Sequence, residues 1–106
     1  MTKEYILAAG DDLNNITNSG FYRLTTGHLN TPYADTGCKI DYGQMIVAHG
    51  GSDTIAQIII EFSSSIILVR SGNPLIANGT WTKWRRVIYS DNFVYNSSTN
   101  TLTINI

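Results

Sequence analysis

Eight carboxylates, two histidines and one cysteine are the side chains of this sequence that suit acid–base, metal or nucleophilic chemistry. Glycoside hydrolysis needs two carboxyl groups that face each other across a sugar bond. Asp35 and Asp41 flank a long loop, but their spacing matches no catalytic pattern. His28 and His49 lie outside any metal-binding spacing, and a single Cys38 allows neither an intrachain disulfide nor a Cys-based zinc site. The sequence therefore predicts no enzyme, no metal ion and no cofactor.

The same residues suit the binding of a neutral ligand better. The loop from Thr26 to Gly37 is longer than most connections in a compact domain, and such loops often carry function. It holds His28, Asn30 and Tyr33, which offer a ring face and neutral hydrogen-bonding groups. We predict these three residues and Trp81 as ligand contacts. For Tyr33 the alternative role of a loop anchor stays open.

A tryptophan-rich segment, Trp81-Thr82-Lys83-Trp84-Arg85-Arg86-Val87, follows an Asn78-Gly79 turn signal. Its aromatic and β-branched residues favour a strand, whose alternation would place Trp81 and Trp84 on opposite faces. We expect one tryptophan in the core and one nearer the surface, each beside a stacking cation. The predicted core aromatics are Trp84 and Phe21.

The bulk composition narrows the classes of partner. A chain of 106 residues is one domain by size. Its net charge of −1 and charged fraction of 14% give no electrostatic signature of nucleic acid or anionic membrane binding. The apolar run Tyr5–Ala9 is too short for a secretion signal, and no run reaches the length of a membrane-spanning helix. We expect synthesis in a cytoplasm, no nucleic-acid partner and no membrane insertion.

The periodicity predicts an all-β fold, mainly antiparallel, as a small sandwich- or knob-like domain with at most one short helical turn. That turn is expected over Leu13–Ile16, capped by Asp11 or Asp12. A knob-like domain should span residues 1–90, and a C-terminal hairpin extension residues 91–106. The strands are expected at Phe21–Thr25, Gln44–His49, Ile55–Phe62, Ile66–Arg70, Trp81–Val87, Phe93–Tyr95 and Thr101–Ile106.

The predicted strands Ile55–Phe62 and Ile66–Arg70 are largely apolar on both faces. A small sheet with one face in water would instead alternate apolar and polar residues. A second layer or neighbouring subunits would cover them. The last strand adds a one-sided apolar stripe at the end of the chain. The predicted residues of a subunit interface are Ile55, Ile59, Leu102, Ile104 and Ile106.

With these elements in order, the chain resembles the pyocin-knob-like domains of phage tail fibres and tailocin fibres. The resemblance covers Asp11 to Ile88 and rests on the order and spacing of several short pieces. They are Asp12-Leu13-Asn14-Asn15-Ile16, Gly20-Phe21-Tyr22-Arg23, Gly43-Gln44-Met45-Ile46-Val47, Ala56-Gln57-Ile58, Arg70 and the tryptophan-rich segment.

The resemblance implies a homotrimer near the tip of a host-recognition fibre on the virion, which contacts a bacterial surface polysaccharide. It implies no particular contact residues. A module that only trimerises or connects parts of the fibre, without a ligand of its own, is the alternative.

Overall fold

The computed structural model describes residues 4–105, and a six-stranded mixed sheet forms its centre. The strands follow one another across the sheet in chain order; the first, Glu4–Ile6, runs parallel to the second, Gly20–Leu24, and every other neighbouring pair is antiparallel. The mostly β character predicted from periodicity is confirmed. The strands are β1 (Glu4–Ile6), β2 (Gly20–Leu24), β3 (Gly43–Ala48), β4 (Ile55–Glu61), β5 (Ile67–Gly72) and β6 (Arg85–Arg86).

Short helical turns are more frequent than predicted. The expected turn is a 3₁₀ helix over Leu13–Asn15, where Asp12 caps by accepting from the backbone N–H of Asn14 at 2.9 Å. The prediction of at most one such turn is wrong, because α1 (Tyr33–Thr36) and a second 3₁₀ turn (Ser90–Asn92) are also present. Pro32 starts α1 with φ −62°, and Gly37 ends it in the left-handed region at φ 74°.

The core lies on one face of the sheet, under a layer of loops. Ile55 and Ile59 are 2% and 0% exposed there, so the prediction that they contact a neighbouring chain is wrong. Gln57 and Glu61 share their face, and the alternation of β4 turns all four side chains inward. The sheet contributes Tyr22, Leu24, Met45, Val47, Ile55, Ile59 and Leu68 to the core, and the loops contribute Leu7, Leu13, Ile40 and Trp84.

The opposite face of the sheet carries no covering element within residues 4–105, and we call it the open face. Phe21 lies here and is 42% exposed, so its predicted place in the core is wrong; its neighbour Tyr22 takes the inward position. The inward and outward sides of β2 to β5 follow from their paired registers. The open face consists of Glu4, Ile6, Phe21, Arg23, Gln44, Ile46, Ala48, Ala56, Ile58, Ile60, Ile67, Val69, Ser71 and Arg85.

The tryptophan-rich segment is not the continuous strand that was predicted. Trp81 forms an isolated bridge with Gly72, and only Arg85–Arg86 joins the sheet. A Cβ on Gly72 would lie 2.8 Å from the Cα of Trp81, so the close approach needs glycine. The break lets both tryptophan rings reach the core side, where strict alternation would have separated them.

Arg70 lies between the two indole rings, with its guanidinium carbon 4.2 Å from the Trp81 centroid and 4.5 Å from the Trp84 centroid. The predicted stacking of a cation on each tryptophan is confirmed. Trp84 is 3% exposed, and Trp81 is half-buried at the edge of the core. Burial lowers the pKa of Arg70 to about 10, while Asp12 and Asp35 act in the opposite direction.

A hydrogen-bond network extends from Arg70 into the loop layer. Its Nε donates to Gln57 Oε1 at 2.7 Å. The side-chain amide of Gln57 in turn donates to the carbonyl oxygens of Leu13 and Ile16, at 2.8 and 2.9 Å. Gln57 is 0% exposed, so this network holds the first loop of the chain against the sheet.

The predicted C-terminal hairpin is present as a separate two-stranded sheet, β7 (Phe93–Asn96) and β8 (Thr101–Ile104). Leu102 and Ile104 are 60% and 51% exposed, and they share one face with Phe93 and Tyr95. The third residue of the predicted stripe, Ile106, lies outside the described residues. Nothing within residues 4–105 covers this apolar face, and a two-stranded hairpin is marginally stable alone in water.

The turn between β4 and β5 is organised by a carboxylate. Glu61 accepts hydrogen bonds from the backbone N–H groups and hydroxyls of Ser63 and Ser64. The hydroxyl of Ser64 contributes most, and together these bonds lower the pKa of Glu61 from 4.5 to about 2. The turn is therefore stabilised by the ionised form of Glu61.

This carboxylate should make stability depend on pH in acid. A pKa lowered on folding stabilises the native state above the ordinary value of 4.5, and the contribution is lost as the pH falls to about 2. We expect Glu61→Gln to lower the urea midpoint at pH 7, with a difference from wild type that shrinks between pH 4.5 and pH 2. Asp53→Asn is the control, because the carboxylate of Asp53 accepts no hydrogen bond from residues 4–105. A constant difference across this range would contradict the role of Glu61.

Candidate ligand-binding pocket

The long loop between β2 and β3 is tied to the N-terminal segment around His28. The backbone N–H of Thr25 donates to His28 Nε2 at 2.9 Å, so the ring proton belongs on Nδ1, 3.1 Å from the carbonyl oxygen of Asp11. The hydroxyl of Thr25 donates to the carbonyl oxygen of Leu7 at 3.0 Å. Both ring nitrogens of His28 are thus used within the chain, and this residue supports the loop.

Trp84 fixes the next part of the loop. Its indole N–H donates to the carbonyl oxygen of Asn30 at 3.0 Å, and its backbone N–H donates to Asp35 Oδ2 at 2.9 Å. Asn30 adopts a left-handed φ of 56°, and its side-chain amide donates to Asp12 Oδ1 at 2.8 Å. The polar groups of Asn30 and Asp35 are therefore engaged in holding the loop on the sheet.

Between these anchors lies a cavity of about 330 Å³, which we call the loop pocket. Tyr33 stands at its edge on α1 and is 57% exposed, while Ile40 is buried at 7% exposure. Lys39 and Asp41 are exposed charged residues of opposite sign. The loop pocket is lined by Gly27, His28, Thr31, Tyr33, Lys39, Ile40 and Asp41.

The structure brings together two of the four predicted ligand residues, His28 and Tyr33, in the loop pocket. Asn30 is outside the lining. Trp81 lies at the edge of the sheet, where the guanidinium of Arg70 covers one face of its ring. A site that uses Tyr33 would therefore draw its remaining contacts from other residues.

Three polar lining residues, Thr31, Lys39 and Asp41, were not predicted as ligand contacts, and the sequence pointed to Asp41 only as a carboxylate beside the loop. The available signal was their position inside or just after the loop that carries Tyr33. The chain reverses its direction through α1 and Gly37, and this reversal places Lys39 and Asp41 beside residues 27 and 28. That reversal depends on a Pro32 and Gly37 pair whose geometry the spacing alone does not reveal.

The chemistry available in the loop pocket is that of hydrogen bonding to a neutral, hydroxyl-rich ligand. Lys39 donates, Asp41 accepts, and the hydroxyl of Thr31 does both. One positive and one negative side chain leave the lining without a net charge when His28 is neutral. The exposed ring of Tyr33 offers an amphipathic face with few rotatable bonds, a common feature of recognition sites.

Two of the larger cavities on the open face and its rim lie at opposite ends of the sheet. One of about 480 Å³ includes Tyr42 and Phe62, whose rings meet edge to face with centroids 6.1 Å apart. Another of about 640 Å³, at the other end of the sheet, is lined largely by small and hydroxyl-bearing residues, including Thr54, Ser71 and Thr82. These cavities share no residue with the loop pocket, so substitutions distinguish them.

Within residues 4–105, no group of three or more His, Cys, Asp or Glu side chains is arranged to hold a metal ion. The helices in this part of the chain are all too short to cross a membrane. Comparison with family models, curated proteins and solved structures finds no match to this chain.

Proposed function

We propose that the chain is a tip module of a phage tail fibre or tailocin fibre, which works as a homotrimer on the virion. It binds a neutral polysaccharide of the bacterial surface in the loop pocket and does not cleave it. The observation that carries this proposal is the exposed ring of Tyr33 on a firmly anchored loop. The hydrogen-bonding side chains around that ring include one positive charge, on Lys39, and one negative charge, on Asp41.

The arrangement of the carboxylates supports binding without hydrolysis. A glycosidase places two carboxyl groups on opposite sides of the scissile bond. In the loop pocket Asp41 is the carboxylate of the lining, and the nearby Asp35 is engaged by the backbone N–H of Trp84. Asp35 thus serves the loop rather than a ligand.

Homotrimer formation is supported by the apolar side chains that a single chain leaves in water. Phe93, Tyr95, Leu102 and Ile104 form one face of the hairpin, each between 42% and 60% exposed. Residues 93–105 contain no charged side chain, so identical hairpins meet without like-charge repulsion. Covering these residues stabilises an assembly by up to about 1.5–3 kcal/mol each before ordering costs.

We expect Ile104→Asp to weaken assembly and lower the melting temperature, because it places a charge among the apolar residues of the hairpin. Thr103→Asp, on the other face of β8, is the matched control and should change either property little. Sedimentation at micromolar concentration measures the assembly. A wild-type mass of one chain would contradict the homotrimer, and unchanged assembly of Ile104→Asp would exclude the hairpin from it.

A connector module without a ligand is the second candidate, and the extent of exposed apolar surface favours it. β1 begins in the middle of the sheet, where Glu4 pairs with Phe21, and runs toward the end from which the hairpin leaves, next to the turn at Ser65. This arrangement suits a module placed in line within a fibre. Such a module needs the uncovered apolar faces but not the exposed ring of Tyr33.

Binding of the intact protein to whole bacteria and to a glycan array separates the two candidates. A receptor-binding module should retain a defined set of glycans at micromolar concentration, and the soluble glycan should compete with cell binding. The reducing ends of the bound polysaccharide should not increase with time. Binding to no strain and no glycan would favour the connector, and release of reducing ends that depends on Asp41 would establish hydrolysis.

A further inference from the structure

The side chains of the open face form a row that crosses all six strands in register. Phe21, Ile46, Ile58 and Val69 are consecutive partners from β2 to β5. The row continues to Glu4 on β1 at one edge and to Arg85 on β6 at the other. The centre of the face is therefore an apolar band, and its two ends carry opposite charges.

Charged side chains are otherwise scarce on this face. Arg23 is the third charged residue of the open face, after Glu4 and Arg85. It lies beside Ile6 and Gln44, one row nearer the hairpin, and lines the 480 Å³ cavity at the rim. Glu4 and Arg85 form no ion pair within residues 4–105, because the two edges of the sheet are about five strand spacings, or about 24 Å, apart. Each charge is thus available to another molecule.

We propose that neighbouring copies of this chain meet edge to edge, with β1 of one copy beside β6 of the next. Glu4 then lies next to Arg85 of the neighbouring copy, and the apolar bands of the copies face a shared interior. This inference rests on the proposed homotrimer and identifies the surface that forms it.

Further copies of the chain fit this surface better than an unrelated partner does. The two edges are complementary to each other in charge, whereas an edge facing its own equivalent would bring like charges together. Contacts between two different edges are heterologous, and such contacts form a closed ring when the rotation between copies closes. A ring also leaves neither edge of the six-stranded sheet exposed, which lowers the aggregation risk of unpaired strands. All copies then point the same way, and their uncharged hairpins leave side by side.

A disulfide between the two edges tests the arrangement and counts the copies. The protein carries Glu4→Cys and Arg85→Cys in a Cys38→Ser background, and it is oxidised under mild conditions. The Cα atoms in a disulfide are less than about 7 Å apart, so the two positions cannot join within one sheet. The expected result is a covalent species with the mass of three chains, which disappears on reduction. Each single cysteine variant should remain uncrosslinked.

Charge reversal provides a second test that does not depend on disulfide geometry. We expect Glu4→Arg or Arg85→Glu alone to raise the concentration of half-assembly at least about fivefold, since each creates like-charge pairs. The double reversal should return it to within about twofold of the wild type.

The outcomes separate this inference from the proposed function. A wild-type protein that is monomeric overturns both the homotrimer and this interface. A trimer that gives no three-chain crosslink, and whose charge reversals are not rescued, overturns the interface alone. A crosslinked species of only two chains would show that the two edges join in a dimer and not in a ring of three. Loss of glycan binding by a properly crosslinked trimer would instead count against the proposed function.

Discussion

Replacing Gln57 with leucine should lower the free energy of unfolding by about 3–5 kcal/mol. The volumes of the two side chains are similar, so the change removes hydrogen bonds with little loss of packing. Arg70 Nε, in a buried position, and the carbonyl oxygen of Ile16, in a partly buried one, would lose their partner. The carbonyl oxygen of Leu13 would keep only the backbone N–H of Ile16, at 3.3 Å.

A double-mutant cycle shows whether Gln57 acts through Arg70. Arg70→Leu alone leaves Gln57 Oε1 without a donor and removes the cation from between Trp81 and Trp84. If the pair works as one network, the double variant should cost at least about 1 kcal/mol less than the sum of the single variants. Urea unfolding at one fixed protomer concentration measures each corner, because assembly would also shift the midpoint. Additive costs would mean that the two residues stabilise the fold independently.

The strands of the sheet were predictable from the sequence because their local pattern and their tertiary setting agree. The strands β3, β4 and β5 lie close to the expected ranges, and so does the hairpin. The alternation also gave correct pairs of faces for β4. What alternation does not give is which of the two faces turns inward, since both are apolar. For this reason Ile55 and Ile59 were placed at an interface, whereas the structure has them in the core.

The tryptophan-rich segment shows the limit of a pattern argument. A run of aromatic, cationic and β-branched residues favours a strand locally, but Trp84 is held by two long-range hydrogen bonds, to Asn30 and Asp35. Thr82 still donates its backbone N–H to the carbonyl oxygen of Ser71, but the ladder is interrupted before Arg85, and both rings lie against Arg70. Contacts over such sequence distances carry no signal in the segment itself.

The loop pocket was predictable only in part for the same reason. A long loop with Tyr33 suggested a site, and the structure places that ring at the edge of a cavity. The hydrogen-bonding residues of the loop appeared equivalent in the sequence. In the fold His28 and Asn30 are occupied as anchors, and Lys39 and Asp41 become the polar groups of the lining.

Replacing Tyr33 with alanine should weaken binding to a single glycan chain by about tenfold to thirtyfold, which corresponds to about 1.4–2 kcal/mol per site. The ring is 57% exposed, so its removal should change the melting temperature and the assembly little. Binding to whole cells should fall much further, because a trimer that engages three chains multiplies the loss at each site. Tyr33→Phe separates the two contributions of the side chain: it keeps the ring face and removes the hydroxyl.

Tyr42→Ala is the matched control for this experiment. Tyr42 is also a partly exposed tyrosine, 42% accessible, but it is outside the lining of the loop pocket, and its ring contacts Phe62 at the 480 Å³ cavity. We expect Tyr42→Ala to bind cells and the isolated glycan as the wild type does, while Tyr33→Phe retains most of the affinity. Affinity for the purified glycan is measured by titration calorimetry, and cell binding by flow cytometry with labelled protein. The reverse order, with Tyr42→Ala impaired and Tyr33→Ala unaffected, would move the ligand from the loop pocket to the cavity beside Phe62.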